Sequence, residues 1–176
     1  MRRLVYDVAT SLDGFICGPG EDISRFPPEG EHVTAYLERL KGYDSVIMGR
    51  RTYEFGYRYG MAPGDKAYPH MSHHVFSRTL QLPESSDVEV VREAWLERID
   101  DLKSRAGGPI YLCGGGELAG YLLKHGRIDR LIVKLNPILL GEGVPLFGGA
   151  SPTQPMRFVS SEPYASGVVL LTYDLA

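Results

Sequence analysis

The chain is short of cysteine, of long apolar runs and of excess charge, and each shortage removes a class of protein. Only Cys17 and Cys113 carry thiols, far apart and without a flanking motif. That excludes a disulfide framework and predicts two reduced thiols in a cytoplasmic protein. No stretch approaches a membrane span. Met1-Arg2-Arg3 leads straight into Leu4-Val5-Tyr6-Asp7-Val8-Ala9 with no secretory cleavage pattern. A formal net charge of -3 gives no electrostatic reason to expect nucleic acid, so the arginines near position 50 read as a local site. Internal repeats and an interdomain linker are missing too. What remains is 176 residues with 43% apolar content, enough for one domain, 1–176, with a sizeable core.

Hydrophobic periodicity organises that domain. Leu4 to Ala9 reads as a first strand, followed by a loop holding Pro19-Gly20 and Pro27-Pro28. Val33, Tyr36, Leu37 and Leu40 recur at i, i+3, i+4 and i+7, which predicts a helix with those four residues on its buried face. Ser45–Met48, His74–Phe76, Val88–Val91, 110–113 and Arg130–Leu135 read as further strands. Helices are predicted from Thr52, over 92–105 and around Leu118 and Leu122. Met156–Val159 and Val168–Tyr173 leave no room between them for a crossover helix, so they pair antiparallel. The expected class is therefore α/β, with a parallel sheet and an antiparallel C-terminal part.

Two glycine turns follow apolar runs. In Val46-Ile47-Met48-Gly49-Arg50-Arg51-Thr52, Gly49 permits a tight turn, while the arginines and the Thr52 hydroxyl offer donors suited to phosphate. A solvated strand-to-helix turn is the plainer alternative. In Tyr111-Leu112-Cys113-Gly114-Gly115-Gly116-Glu117, three missing side chains allow close ligand approach before a helix start. No lysine follows these glycines, so this is no P-loop, and the spacing differs from the dinucleotide fingerprint. Close packing of the turn is the competing explanation, and Glu117 suits either a helix start or a ribose contact. Ser77-Arg78-Thr79, after Val75-Phe76, adds two hydroxyls and a guanidinium able to hold a ribose 2′-phosphate.

These segments, with Ala9-Thr10-Ser11-Leu12-Asp13-Gly14-Phe15-Ile16 and Pro137-Ile138-Leu139-Leu140-Gly141-Glu142-Gly143-Val144-Pro145-Leu146-Phe147, resemble the dihydrofolate reductase-like superfamily. The likeness spans nearly the whole chain and is nearest to stand-alone proteins similar to the reductase domain of bacterial riboflavin biosynthesis. It implies a three-layer sandwich and a reductase transferring hydride from NADPH to a C=N or C=O carbon of a small, possibly heterocyclic substrate. It also implies that Arg50, Arg51 and Thr52 meet cofactor phosphates, with Ser77 and Arg78 near the 2′-phosphate. Gly115 and Gly116 would pass beneath the pyrophosphate, and Ala9 and Ile16 would flank the nicotinamide. A riboflavin-pathway ribosylaminopyrimidine reductase is one alternative, with Lys66 and Arg58 as a second basic site. A non-catalytic cofactor-binding or interaction protein is another.

The proton donor is less defined. Dihydrofolate reductases carry a buried carboxylate on the first helix, whereas the nearest position here is Val33, preceded by Glu31 and His32. Dihydrofolate is therefore a poor substrate guess, and Asp13 and Glu31 are the candidate catalytic carboxylates. Each has an ordinary alternative, as a turn residue and as a helix start. His70, His73 and His74 resemble a metal cluster, but neighbours on a strand diverge, and no metal is expected. Tyr53, Tyr57, Tyr59, Tyr68, Phe26 and Phe55 suit either a flat-ring pocket or aromatic packing. The apolar segment Gly143–Phe147 after Leu139-Leu140 suggests a homodimer, with intrachain packing as the alternative.

Overall fold

Alternation along the first strand sets the layers. In β1 (Leu4–Thr10), Leu4 and Tyr6 belong to one core cluster and Val5 to another, so the strand is covered on both faces. The computed structural model describes residues 1–150 and 153–175. β1 is followed by β2 (Phe15–Cys17), α1 (Glu31–Leu40), β3 (Ser45–Gly49), α2 (Arg50–Phe55), β4 (Ser72–Phe76) and β5 (Val88–Val91). Then come α3 (Trp95–Ser104), β6 (Ile110–Leu112), α4 (Gly116–Lys124), β7 (Arg130–Leu135), β8 (Val144–Pro145), β9 (Met156–Pro163) and β10 (Val169–Leu175). Eight strands form one sheet in the order β5-β4-β3-β6-β1-β7-β10-β9, while β2 pairs with β8 separately.

The six strands from β5 to β7 run parallel, and β10 is antiparallel to both β7 and β9. One face packs Ile99 and Leu102 of α3 and Leu118 and Leu122 of α4 against Tyr6, Ile47 and Leu112. The other packs Leu40 of α1, with Tyr43 after it, against Val5, Val46, Met48 and Ile132. This is a three-layer sandwich with helices on both sides of a mostly parallel sheet. Chain order makes a switch point at β3 and β6: β3 leads outward to β4, while β6 leads across β1 to β7. Adjacent strands whose connections leave in opposite directions open a crevice at their carboxyl ends.

Several expectations shift. Leu37 is 54% exposed, because α1 turns His32, Tyr36, Arg39 and Leu40 inward instead. Arg39 reaches the buried Asp7 at 2.9 and 3.1 Å, so a polar contact sets the inward stripe alongside the apolar ones. The helix predicted over 92–105 begins at Trp95, after Ala94 in a left-handed conformation with φ +52°. The 143–147 segment packs within its own chain: Tyr6 donates to the Leu146 carbonyl at 2.9 Å and its ring meets Phe147. Exposed apolar side chains lie at Leu139, shortly before that segment, and at Met156, Phe158 and Val159 of β9, the outer strand. Among the described residues, no helix is long and apolar enough to cross a membrane.

Candidate functional site

At the switch point the carboxyl ends of β3, β4 and β6 open into a cleft of ≈ 1230 Å³, a volume suited to a sizeable ligand. Ile16, Gly49, Arg50, Arg51, Thr52, Ser77, Arg78, Gly115, Gly116 and Glu117 all line it, although they lie up to a hundred positions apart. Parallel strands explain the convergence, since every strand-to-helix turn then leaves from the same edge.

The glycines of these turns serve different ends. Gly49 has φ -80° and ψ 166°, an extended conformation open to any residue, and an added Cβ there would meet nothing within 4 Å. Neither strain nor packing requires glycine at 49, contrary to the tight turn expected from sequence; the position simply leaves the cleft floor bare. Gly114 and Gly115 have φ of +52° and +74°, so the turn itself requires them. A Cβ on either would come within 3.1 Å of the Thr52 side chain, which shows how closely the two turns abut. At Gly116 a Cβ would lie 2.4 Å from the Pro145 carbonyl oxygen and 2.8 Å from the Gly148 nitrogen. Gly116 is therefore demanded by the 145–148 backbone packed on it, the close-packing alternative. Gly114 does not line the cleft.

The charged groups are partly engaged. Arg50 donates to Glu54 at 2.8 Å and to the Thr79 hydroxyl at 2.9 Å. Arg51 and Arg58 share Glu21, at 2.9 and 3.0 Å. Glu21 sits in a left-handed conformation, φ +63°, and lines the cleft itself. Arg78 is exposed, and its guanidinium makes no ion pair among the described residues. Arg92 braces the same corner by donating to the carbonyls of Arg78 and Leu80 at 3.2 and 2.8 Å. The buried Ser77 hydroxyl accepts the amides of Thr79 and Leu80, fixing the turn that carries Arg78. Trp95 forms an aromatic wall, edge-to-face with Phe76 and Tyr121, and its buried Nε1 has no hydrogen-bond partner.

Sequence reasoning missed Glu21, Arg92 and Trp95 as cleft residues. Trp95 falls within the helix predicted over 92–105, and Glu21 lies in a Pro/Gly loop whose path no periodicity reveals. The only available signal for Arg92 was its position between a strand and a helix.

Asp13 and Glu31 do not line the cleft. The exposed Asp13 carboxylate accepts the amides of Leu140 and Gly141, at 3.1 and 2.7 Å, and clasps that loop. The Ser11 hydroxyl first, then the Gly141 amide, hold it down to about 2. An anion so stabilised is a poor proton donor near neutrality. Glu31 is exposed in the first turn of α1. The histidines go separate ways: His70 to the Leu40 carbonyl, His73 to the Met71 carbonyl and His74 to Glu89. Burial lowers His73 to about 4, so its ring is neutral at pH 7. Of the aromatics, Phe55 lines the cleft, Tyr53 is buried and Tyr59 is exposed. Arg58 is held at Glu21, whereas Lys66 lines a separate surface depression with Tyr59 and Asp87.

Ala9 does not line the cleft either; it sits half-buried at the end of β1, beside Lys134 of β7. On the α1 side below it, Tyr36 and Tyr111 share a hydroxyl hydrogen bond of 2.8 Å, and the Tyr68 hydroxyl lies 3.5 Å from Cys113 Sγ. Burial pushes Tyr36 up to about 12 and raises Tyr68, Tyr111 and Cys113.

The family model of the RibD C-terminal domain matches residues 2–170. The chain is 27% identical to the uncharacterised protein YyaP of Bacillus subtilis, over 98% of this chain and 94% of that one. A putative riboflavin biosynthesis protein from Shewanella sp. PV-4 has a similar solved structure. Its TM-score is 0.82 at 27% identity, covering 100% of this chain and 99% of that one. Dihydrofolate reductase from Enterococcus faecalis, solved with NADP(H), shares the fold with TM-score 0.68 at 18% identity, over 98% and 96% of the two chains.

Proposed function

The chain belongs to the RibD C-terminal domain family, and on that footing we propose that it is an NADPH-dependent reductase acting on a C=N or C=O bond of a small, flat substrate. The observation that carries this is the convergence of Gly49, Thr52, Ser77, Arg78 and Gly115 on one cleft with an aromatic wall. The cleft fits such a cofactor: its backbone floor is bare at Gly49, the exposed Arg78 guanidinium makes no ion pair among the described residues, and the Trp95 ring forms one wall. Arg50, Arg51 and Thr52 would hold its phosphates, and Ser77 and Arg78, braced by Arg92, its 2′-phosphate. Gly115 would lie beneath the pyrophosphate, and the nicotinamide end would extend past Ile16, beyond the cleft lining, toward Ala9 at the end of β1. When bound, the reduced nicotinamide supplies hydride; the protein contributes orientation and exclusion of water.

Trp95 is the chain's single tryptophan and lies on the cleft wall, so its fluorescence reports binding. NADPH should quench it at concentrations at least about tenfold below NADH, the weight of one charge-assisted contact. Equal quenching by both, or none, refutes the reading. The likeness to a putative riboflavin biosynthesis protein favours a second, narrower substrate, a ribosylaminopyrimidine. NADPH binding without turnover on any carbonyl or imine would favour a cofactor-binding protein instead. We further propose a homodimer built on the β9 edge, whose eight residues are all exposed.

A further inference from the structure

Reducing C=N or C=O by hydride leaves a lone pair on the heteroatom, and something must protonate it. Asp13 is an anion clasped to a loop, and Glu31 lies in solvent. A different group occupies the α1-facing side of the sheet where β1 and β7 end. Val5 and Ile132 pack on that side, so strand alternation turns Asp7 and Ala9 of β1 and Lys134 of β7 the same way. Ala9 and Lys134 are register partners.

Around them, among the described residues, one proton-bearing group is neither committed to a partner nor weakened as an acid by burial. Asp7 is 2% exposed and committed to Arg39 and to the Tyr43 hydroxyl at 3.2 Å. The hydroxyls of Tyr36, Tyr68 and Tyr111 are weakened as acids by burial. The Lys134 ammonium lies 5.7 Å from the centroid of the Tyr36 ring and makes no hydrogen bond or ion pair among the described residues. Burial first, then the Arg39 guanidinium, shift it below the usual lysine range, with Asp7 opposing. Its proton is thus more readily given than that of a solvated lysine.

We propose that Lys134 is the catalytic proton donor, its ammonium contacting the carbonyl oxygen or imine nitrogen of a flat heterocycle placed beside Ala9. The assignment rests on the reductase reading. Hydride from the reduced nicotinamide forms the new C–H bond while the C=X π pair moves to the heteroatom. That atom takes one proton from Nζ, leaving a neutral amine that solvent reprotonates. Cofactor and substrate exchange two electrons, and the net reaction consumes one proton.

Barbiturate, a flat pyrimidine carrying a delocalised oxyanion, mimics the charge that develops on the acceptor. Protein labelled with [13Cε]lysine and saturated with NADP+ is titrated with it. The Lys134 resonance, assigned by its loss in Lys134→Met, should move on barbiturate addition, and its own titration midpoint should rise as the oxyanion settles beside it. Lys134→Met should weaken barbiturate about tenfold or more, Lys134→Arg should restore most of that, and NADPH affinity should stay unchanged in both. A Lys134 resonance unmoved by saturating barbiturate, or equal barbiturate affinity in Lys134→Met, overturns the assignment. The wild-type resonance decides even if Lys134→Met does not fold, because Lys134→Arg also assigns it. Failure of NADPH to bind wild-type protein sinks the reductase reading itself, a separate outcome.

Discussion

Replacing Gly49 with alanine separates a cleft built for a ligand from a turn built for itself. The residue's φ of -80° is open to alanine, and the new methyl would touch nothing within 4 Å. Stability should therefore hold or rise, since alanine narrows the unfolded ensemble by roughly 0.4–1 kcal/mol. In a chain of this size that is roughly 1–4 °C in Tm. A ligand lying on the bare backbone would be lifted away and lose at least one charge-assisted contact, weakening NADPH by about tenfold or more. Gly116→Ala is the control, because its methyl would collide with the Pro145 carbonyl oxygen at 2.4 Å. Overpacking of that kind costs roughly 1–3 kcal/mol, or roughly 2–12 °C. Thermal melts and tryptophan-quenching titrations on both variants settle the matter. A stable Gly49→Ala protein with wild-type NADPH affinity refutes the placement of the cofactor on this turn.

Glu21→Gln removes the carboxylate shared by Arg51 and Arg58 at the cleft, so NADPH should bind more tightly, by up to about fivefold, as befits an exposed ion pair. Unchanged affinity across a salt series would show that Glu21 does not compete with the ligand's phosphates. Phe158 is 56% exposed on the outer strand and meets Tyr173 only along one edge. Phe158→Glu should convert a dimer to monomer in light scattering, and a wild-type protein that is already monomeric removes the β9 interface.

The strands and most helices were readable from periodicity because that signal is local: β3, β4, β5, β7 and α4 lie where apolar spacing places them. The glycine turns were readable as turns for the same reason. Their meanings were not. Gly49 and Gly116 look alike in sequence, yet one faces open space and the other a neighbouring backbone, a difference made by the 145–148 segment. Leu37 fitted an apolar stripe, but α1 rotates to bring Arg39 onto Asp7, a contact spanning 32 positions.

By itself, then, the sequence determined an α/β chain with phosphate-suited turns after β3, β4 and β6, together with the family resemblance those turns carry. It also set the antiparallel tail, because the link between β9 and β10 is too short for a crossover. Only the tertiary structure decided which groups meet. Insertion of β6 between β3 and β1 brings Thr52 against Gly115, and pairing of β1 with β7 sets Lys134 beside Ala9. The same folding draws Glu21 onto two arginines and leaves Asp13 clasping a loop. Those encounters depend on strand order and register, which join residues remote in the chain and leave no periodic trace along it.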